Sequence, residues 1–428
     1  MTYDIAELYE RIVRGHRVTT DSRNIRPGDV FVALKGANFN GNRYAASALA
    51  QGASAAIIDE PSETGEHRFL VPDALKCLQE LAHHHRCRLG IPILGITGTN
   101  GKTTTKELCH AVLSRKYKVT TTQGNLNNHI GVPLTLLAMD ENTQFGIVEM
   151  GANHPGEIKM LCDIADPDYG IITNIGHAHL EGFGSYENII ATKSALYDHI
   201  LAKKGRLFVN ASDELLMRLS EGHTRNTYGG EGDLLRGDVK QTVPYLTYAL
   251  HTMHGDLYVR TRLVGGYNFD NAMAASAVGT YFGMDPLDIR DAIEAYTPSN
   301  LRSQLIKTER NTLILDAYNA NPSSMHAALS NFIEMPGEHK SVILGEMLEL
   351  GAESHHAHTA LLQLALSGAF EHIYLVGKSF APTSHESVIH LEDTDALIRT
   401  LHNHPLHDAF ILIKGSRGNQ LERIVEYL

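Results

Sequence analysis

The stretch GITGTNGKTTTKE, from Gly95 to Glu107, concentrates groups able to hold an anion. It follows the apolar run IPIL, and TKELCHAVLSRKY behind it has helical spacing. A strand that feeds a glycine-rich turn and then a helix points backbone N–H groups at one spot, and the helix start adds positive potential there. Lys102 stands where a cation would reach the outer phosphates of a nucleotide, and Thr103 where a hydroxyl would hold magnesium. The strict phosphate-loop spacing asks for glycine where this chain has Ile96; the glycines here are Gly95, Gly98 and Gly101. The plain alternative is a tight turn without a ligand, for which a lysine and a threonine run would be a costly ornament.

Magnesium carried by ATP needs oxygen ligands. Glu149 closes the strand pattern FGIVEM, and strand ends are where open sheets place ligand-binding groups. The next strand pattern, YGIITNI, is followed by His177 and His179. Either histidine alone reads equally as a packing or loop residue; at a second strand end of the same unit, His179 becomes a candidate metal or phosphate contact. The other histidine clusters, His83 to His85 and His355 to His358, lack the companions of a zinc site. The first reads as a solvated helix face.

Three units must position these groups. The chain has 428 residues, too many for one typical core. In residues 1–90, DVFVAL and SAAIID read as strands, and DALKCLQELAHHHRCRLG as a helix stopped by Gly90. In residues 91–297, strand and helix patterns alternate, which is the signature of a mostly parallel sheet covered by helices. YLTYALHTMHGDLYVRTRLVG reads as antiparallel ribbons added to that sheet, before a helix at NFDNAMAASAVGTYFG. Residues 298–428 form a second α/β unit, with strands NTLILDAY, KSVILG, HIYLVG and AFILIKG and a closing helix at LERIVEYL.

The formal charge, 37 − 49 = −12, argues against a general nucleic-acid binder. Cys77, Cys87, Cys109 and Cys162 form no C-x-x-C pair and read as buried thiols in a reducing compartment. No apolar h-region opens the sequence, and no apolar run is long enough to span a membrane. A cytoplasmic protein is expected.

Several stretches together resemble the Mur ligases, the ATP-dependent enzymes that build the peptide of the bacterial cell-wall precursor. GITGTNGKTTTKE resembles their ATP loop. TTQGNLNNHIGVPLTLL (Thr121 to Leu137), DAYNANPSSM (Asp316 to Met325), LGEMLELG (Leu344 to Gly351, with His358 downstream) and IKGSRGNQLE (Ile413 to Glu422) resemble the branch that adds D-alanyl-D-alanine. TDSRNIRPGDVFVALKGANFNG, Thr20 to Gly41, resembles the domain that seats a UDP-sugar. The resemblance covers the whole chain. It implies an α/β protein of three domains: a UDP-sugar-binding unit (1–90), a central P-loop ATPase of mostly parallel sheet (91–297) and a Rossmann-like unit (298–428).

It also implies a reaction. The terminal carboxylate of UDP-N-acetylmuramoyl-tripeptide attacks the γ-phosphate of ATP, and the amine of D-alanyl-D-alanine displaces phosphate from the resulting acyl phosphate. By resemblance Gly98, Thr99, Asn100, Gly101, Lys102, Thr103 and Thr104 hold the ATP phosphates; Thr103 and Glu149 bind one magnesium ion, and His179 binds a second with Lys193, carbamylated by carbon dioxide. Asn268 and Asn271 face adenine, although the family often has histidine where this chain has Tyr267. Without the resemblance, Asn268 reads equally as a helix cap. Arg302 reaches the phosphates and Asp316 the ribose. Ser22 and Arg23 contact the UDP group, and Asn125, Asn128, Tyr318, Asn319, Asn321, Lys414, Ser416 and Arg417 serve the remaining substrates. Relatives often carry glutamate two residues after the modified lysine, where this chain has Ala195. A monomer is expected, with neither nucleic acid nor membrane as partner.

Three other readings remain open at this level. Folylpolyglutamate synthases share the ATP loop, but residues 1–90 carry a unit they normally lack. Sister ligases add other residues, and YNANPSSM disfavours them. A nucleotide switch would hydrolyse ATP without joining anything. Whether the third peptide residue is lysine or meso-diaminopimelate cannot be read from the chain.

Overall fold

The computed structural model describes residues 3–230 and 232–428. Strands Val18–Thr19, Val30–Val32, Ala55–Ile58 and Arg68–Leu70 form a parallel sheet in that spatial order. The helix Ala74–Leu89 follows. It buries Ala74, Cys77, Leu78, Leu81 and Ala82, spaced as one helical stripe. Asp73 caps its start by accepting from the Lys76 N–H, and Gly90 ends it at φ 61°.

Six parallel strands build the second sheet, in the order Arg225–Tyr228, Arg206–Asn210, Tyr169–Ile172, Ile93–Thr97, Phe145–Glu149, Val119–Thr121. Every residue of Ile93–Thr97 is buried, as expected of a strand covered on both faces. From this central strand the chain goes first to the edge strand Val119–Thr121, returns to Phe145–Glu149 beside it, and then crosses to Tyr169–Ile172 on its other side and runs outward. The central strand is therefore the switch point of the sheet, where the crevice for a ligand opens. Its register sets Ile96 opposite Glu149 and Thr97 opposite Ile172. Three carboxyl ends thus share one edge.

The ribbons are not added to this sheet. Arg236–Gln241, Thr247–Thr252 and Gly255–Arg260 form their own antiparallel three-stranded sheet, with one isolated bridge from Tyr228 to Leu235 beside it. One face is apolar. Its Tyr248, Leu250 and Val259 join Ala272 and Met273 of the helix Asn268–Tyr281 in a common core, so packing, together with that single bridge, attaches it.

The last sheet runs Gln304–Lys307, Thr312–Asp316, Phe410–Lys414, Lys340–Gly345, His372–Val376, Val388–Leu391, antiparallel only at the first pair. Insertion of the last strand in chain order beside Thr312–Asp316 puts Asp316 opposite Lys414. The expected closing helix is a 3-10 segment, Leu421–Tyr427. Its buried residues, Leu421 and Ile424, are three apart, which suits three residues per turn.

Two surface expectations also change. Cys77, Cys109 and Cys162 are buried, but Cys87 is exposed. His83 to His85 do not form a solvated face, because the helix that carries them packs on the central unit. His85 Nε2 donates to the Met139 carbonyl at 2.7 Å, its Nδ1 meets the Tyr9 hydroxyl at 2.6 Å, and His83 Nδ1 donates to the Ile164 carbonyl at 3.2 Å.

Candidate active site

The turn after Ile93–Thr97 has the conformation its glycines permit. Gly98 lies at φ 145°, and a Cβ there would fall 1.9 Å from Thr173 Oγ1. Gly101, at φ 80°, is packed against the Asn271 amide. Side chains from the neighbouring strand end fasten the turn. The Asn100 N–H donates to Asn174 Oδ1 at 3.0 Å, and Thr173 Oγ1 donates to the Asn100 carbonyl at 2.6 Å. Thr99 Oγ1 exchanges hydrogen bonds with the Gly176 backbone at 2.9 and 3.1 Å. The helix Lys102–Leu113 starts directly behind.

Two lysines meet at this turn. Lys102 Nζ donates to the carbonyls of Gly98 and Thr99 at 2.8 and 3.0 Å. Lys193, 3% exposed on the helix Tyr186–Ala202, donates to the same Gly98 carbonyl at 3.1 Å. Burial pushes Lys102 down to about 8, against the attraction of Glu149. Burial, then the neighbouring Lys102, pushes Lys193 down to about 7.

Glu149 is 2% exposed. Asn127 Nδ2 donates to its Oε1 at 2.9 Å, and Lys106 Nζ approaches its Oε2 at 3.9 Å. That Oε2 is buried without a hydrogen-bond partner among the described residues. An orphaned carboxylate oxygen beside a phosphate loop, with the buried Thr103 at the helix start, fits a hard cation. No group of three or more His, Cys, Asp and Glu among the described residues forms a metal cage. Glu149 and Thr103 would therefore leave most positions around such a cation to oxygens of a bound molecule. His179 is held at φ 52° and engages Glu349 of the C-terminal unit. Burial lowers its pKa, partly countered by Glu349.

One cavity joins the central and C-terminal units. Its central wall is Thr99, Asn100, Gly101, Lys102, Thr103 and Thr104, with Tyr267, Asn268 and Asn271 alongside. The facing wall has Arg302, Asp316, Asn319, Asn321 and Lys414. Asn268 opens its helix as the first residue, and the capping position is Tyr267. The two asparagines are chained: Asn271 Nδ2 donates to Asn268 Oδ1 at 2.9 Å, and Asn268 Nδ2 to the Val264 carbonyl at 2.8 Å. The Arg302 guanidinium lies 4.0 Å from the Tyr318 ring centroid, and its Nε is buried without a partner among the described residues. Such an orphan donor suits an anion. Lys414, 2% exposed, donates to Asp316 at 2.6 Å.

The units are bonded directly across this cavity. Asn321 Nδ2 donates to Asn100 Oδ1 at 2.9 Å, and Asn100 Nδ2 donates to Ser323 Oγ at 2.8 Å. With the geometry of both walls established, comparison with known proteins identifies the architecture. Residues 14–86 match the model described as Mur ligase family, catalytic domain; residues 96–279 match the Mur ligase middle domain; and residues 301–417 match the Mur ligase, glutamate ligase domain.

The chain belongs to the Mur ligase family.

Among curated relatives, the UDP-N-acetylmuramoyl-tripeptide--D-alanyl-D-alanine ligase of Bacillus subtilis (strain 168) is 35% identical across 98% of this chain and 94% of its own. The Escherichia coli (strain K12) protein of the same name is 33% identical across 96% and 93%. Among solved structures, a MurF from Acinetobacter baumannii superposes with a TM-score of 0.85 at 31% identity, covering 96% of this chain and 92% of its own. MurF ligase from Thermotoga maritima in complex with ADP gives 0.85 at 26% identity, covering 100% and 98%.

Not every residue expected from the Mur ligase resemblance meets the cavity. Ser22 and Arg23 lie on a turn of the first unit, where Arg23 pairs with Asp21 at 2.8 Å. Asn125 is exposed, and Asn128 Oδ1 accepts from the Ile130 and Gly131 N–H groups at 3.1 and 2.9 Å in the turn before the helix Gly131–Leu137. Ser416 Oγ accepts from the Leu348 N–H at 3.0 Å, and Arg417 lies near Glu422 at 3.3 Å. The sequence reading passed over Asn127, Asn174, Lys106, Ser323 and Glu349. Asn174 ends a strand pattern, and Asn127 lies within a stretch already singled out.

Proposed function

We propose that this Mur ligase joins D-alanyl-D-alanine to the terminal carboxylate of UDP-N-acetylmuramoyl-tripeptide at the expense of ATP, yielding the pentapeptide precursor, ADP and phosphate. The observation that carries the reading is the two-walled cavity: a phosphate loop with Lys102 on one side, and Arg302, Asp316 and Lys414 on the other. The choice of substrates is supported by similarity along essentially the whole chain to ligases bearing that name. ATP in the cavity is supported by the ADP complex of the Thermotoga maritima protein.

The residues divide the work. The backbone of Gly98 to Thr104 and the Lys102 ammonium neutralise the phosphates, so that an anionic carboxylate can approach. Asn268 and Asn271 line the adenine side, and Asp316 receives the ribose. Thr103, Glu149, His179 and Lys193 would hold magnesium. When bound, the metal would supply Lewis acidity and charge neutralisation at the transferring phosphoryl group. Lys193 is pushed to about 7, so its neutral amine is available to add to carbon dioxide. The N–C bond forms, the amine proton leaves to solvent, and the product is a carbamate anion able to bind a cation. Ser22 and Arg23 of the first unit receive the UDP group. Tyr318, Asn319, Asn321, Lys414 and Ser416 shape the peptide side, and docking of the units keeps water from the acyl phosphate. The three units are assigned to residues 1–90, 91–297 and 298–428. The enzyme works as a cytoplasmic monomer, and no helix among the described residues is long and apolar enough to cross a membrane.

Phosphate release from purified protein tests the reading. It is expected to need magnesium-ATP, UDP-N-acetylmuramoyl-tripeptide and D-alanyl-D-alanine together. Equal release without the amine or the tripeptide would support a nucleotide switch instead.

A further inference from the structure

The loop Gly345 to Gly351 does not line the cavity, yet side chains hold it firmly. His358, 1% exposed, donates from Nδ1 to the Ser354 carbonyl at 2.6 Å. This fixes the tautomer that lets its Nε2 accept the Met347 N–H at 2.9 Å. Ser416 Oγ accepts the Leu348 N–H at 3.0 Å, and Asn419 Nδ2 donates to the Glu346 carbonyl at 2.9 Å. The Glu346 carboxylate accepts from Ser379 N and Oγ at 3.1 and 2.6 Å. Glu349 stands on this fastened loop and crosses to the central unit, where its carboxylate meets His179 Nδ1.

The contact joins two unusual backbones. Glu349 lies at φ 64° and His179 at φ 52°, a left-handed region that residues other than glycine adopt only when the surrounding structure holds them there. Beside it, a Cβ on Gly351 would lie 3.5 Å from Glu181 Cβ, so the loop sits flush against the helix that follows His179. With Nδ1 engaged by a carboxylate, the ring is oriented and Nε2 is the nitrogen left to act as a ligand.

We propose that Glu349 is a positioning residue, delivered by the C-terminal unit, that aligns the His179 ring for the magnesium-nucleotide site, so that docking of the units and completion of that site are one event. The inference rests on the ligase reading of the same cavity. Its consequence is that a half-docked molecule, although it has every residue of the phosphate loop, holds magnesium weakly and needs more of it to bind nucleotide.

The test uses the full-length protein and a non-hydrolysable ATP analogue, with magnesium titrated against analogue binding by calorimetry. Glu349→Ala is expected to raise the magnesium concentration for half-maximal binding about tenfold, within the range for loss of a carboxylate behind a ligating histidine. Glu349→Gln, whose amide oxygen still accepts from Nδ1, is expected to recover part of that shift. Thermal stability and magnesium-free binding of the analogue stay at wild-type values, because the Glu349 side chain is 55% exposed. The Glu349→Ala/His179→Ala double variant is expected to match His179→Ala alone. Unchanged magnesium dependence in Glu349→Ala, or additive losses in the double variant, would overturn the proposal. Wild-type ligation is scored in parallel. A magnesium shift in a protein that fails to ligate would leave the positioning role intact and remove the substrate reading, whereas a ligating wild type with unshifted variants would remove the positioning role alone.

Discussion

Lys102 and Lys193 share one carbonyl oxygen, that of Gly98, and this pairing sets different expectations for each. Lys102→Ala is expected to leave the circular dichroism spectrum unchanged and to lower kcat about 10²–10³-fold, the usual cost of removing one transition-state stabiliser. A near-normal initial rate would remove Lys102 from the chemistry. Lys193→Ala is expected to be nearly inactive and to recover partly in acetate, whose carboxylate can fill the place of the carbamate. Bicarbonate should not rescue it, since alanine has no amine to modify. In the wild type only the neutral amine reacts, so recovery after bicarbonate depletion and return is expected to grow as the incubation pH rises through about 7. A flat profile would contradict the modification. Asp316 needs a more careful substitution. Asp316→Ala strands Lys414, 2% exposed, without its partner, and breaking such a buried pair costs about 3–5 kcal/mol. Loss of ATP binding in that variant would therefore mix unfolding with loss of the proposed ribose contact. Asp316→Asn keeps an acceptor for Lys414. It is expected to weaken binding of the non-hydrolysable analogue with a smaller fall in melting temperature than Asp316→Ala.

At the scale of elements, the turn between Ile93–Thr97 and Lys102–Leu113 depends on one absent side chain. Gly98→Ala would force a Cβ into Thr173 Oγ1 at 1.9 Å from a backbone at φ 145°. Strain of about 1–3 kcal/mol at such a position corresponds to roughly tenfold or more in analogue affinity. Titration of Gly98→Ala checks this, and wild-type affinity would mean the turn relaxes freely. The turn was legible in the sequence because glycine, lysine and threonine types carry their geometry with them. The strands beside it were legible because both faces are buried, which leaves continuous apolar runs. Edge strands were not. Val119–Thr121, Arg225–Tyr228 and Val388–Leu391 are short, and Arg225–Tyr228 (RNTY) is largely polar, so no run marks it. The three-stranded ribbon was recognised, but its attachment depends on a core shared with the helix Asn268–Tyr281, and local pattern does not encode such packing. Asn127, Asn174 and Glu349 escaped for a related reason: each acts through a partner at least 22 residues away in the chain.

The whole molecule is tied at two joints. At the active-site joint, Asn321, Ser323 and Glu349 reach from the C-terminal unit onto Asn100 and His179. At the other, the helix Ala74–Leu89 reaches from the first unit onto the central one. Arg86, 5% exposed, donates there to Asp168 at 2.7 Å and to the Asp166 carbonyl at 3.0 Å, beside His83 and His85. This second joint should respond to pH. Burial lowers the His85 pKa from its ordinary 6.5, so the folded protein holds the ring neutral while the unfolded chain takes up a proton first as pH falls. The stabilisation is complete above that value and is lost as pH drops through it toward the folded pKa. His85→Gln, which can still donate to Met139, is expected to lose less melting temperature than the wild type between about pH 7.5 and about pH 5.5. Equal losses would place the sensitivity elsewhere. The joints matter because the proposed ligation uses all three units: a carboxylate held through one is activated by ATP in the second and captured by an amine held against the third. The fate of one oxygen atom separates this chemistry from simple ATP hydrolysis. With UDP-N-acetylmuramoyl-tripeptide labelled by oxygen-18 in its terminal carboxylate, each turnover should transfer one labelled oxygen to the released phosphate. The carboxylate oxygen bridges to phosphorus in the acyl phosphate and departs when the amine breaks the C–O bond. Mass spectrometry of the phosphate reads the outcome. One label per phosphate, seen only when D-alanyl-D-alanine is present, is the predicted result; unlabelled phosphate from a turning-over enzyme would contradict it.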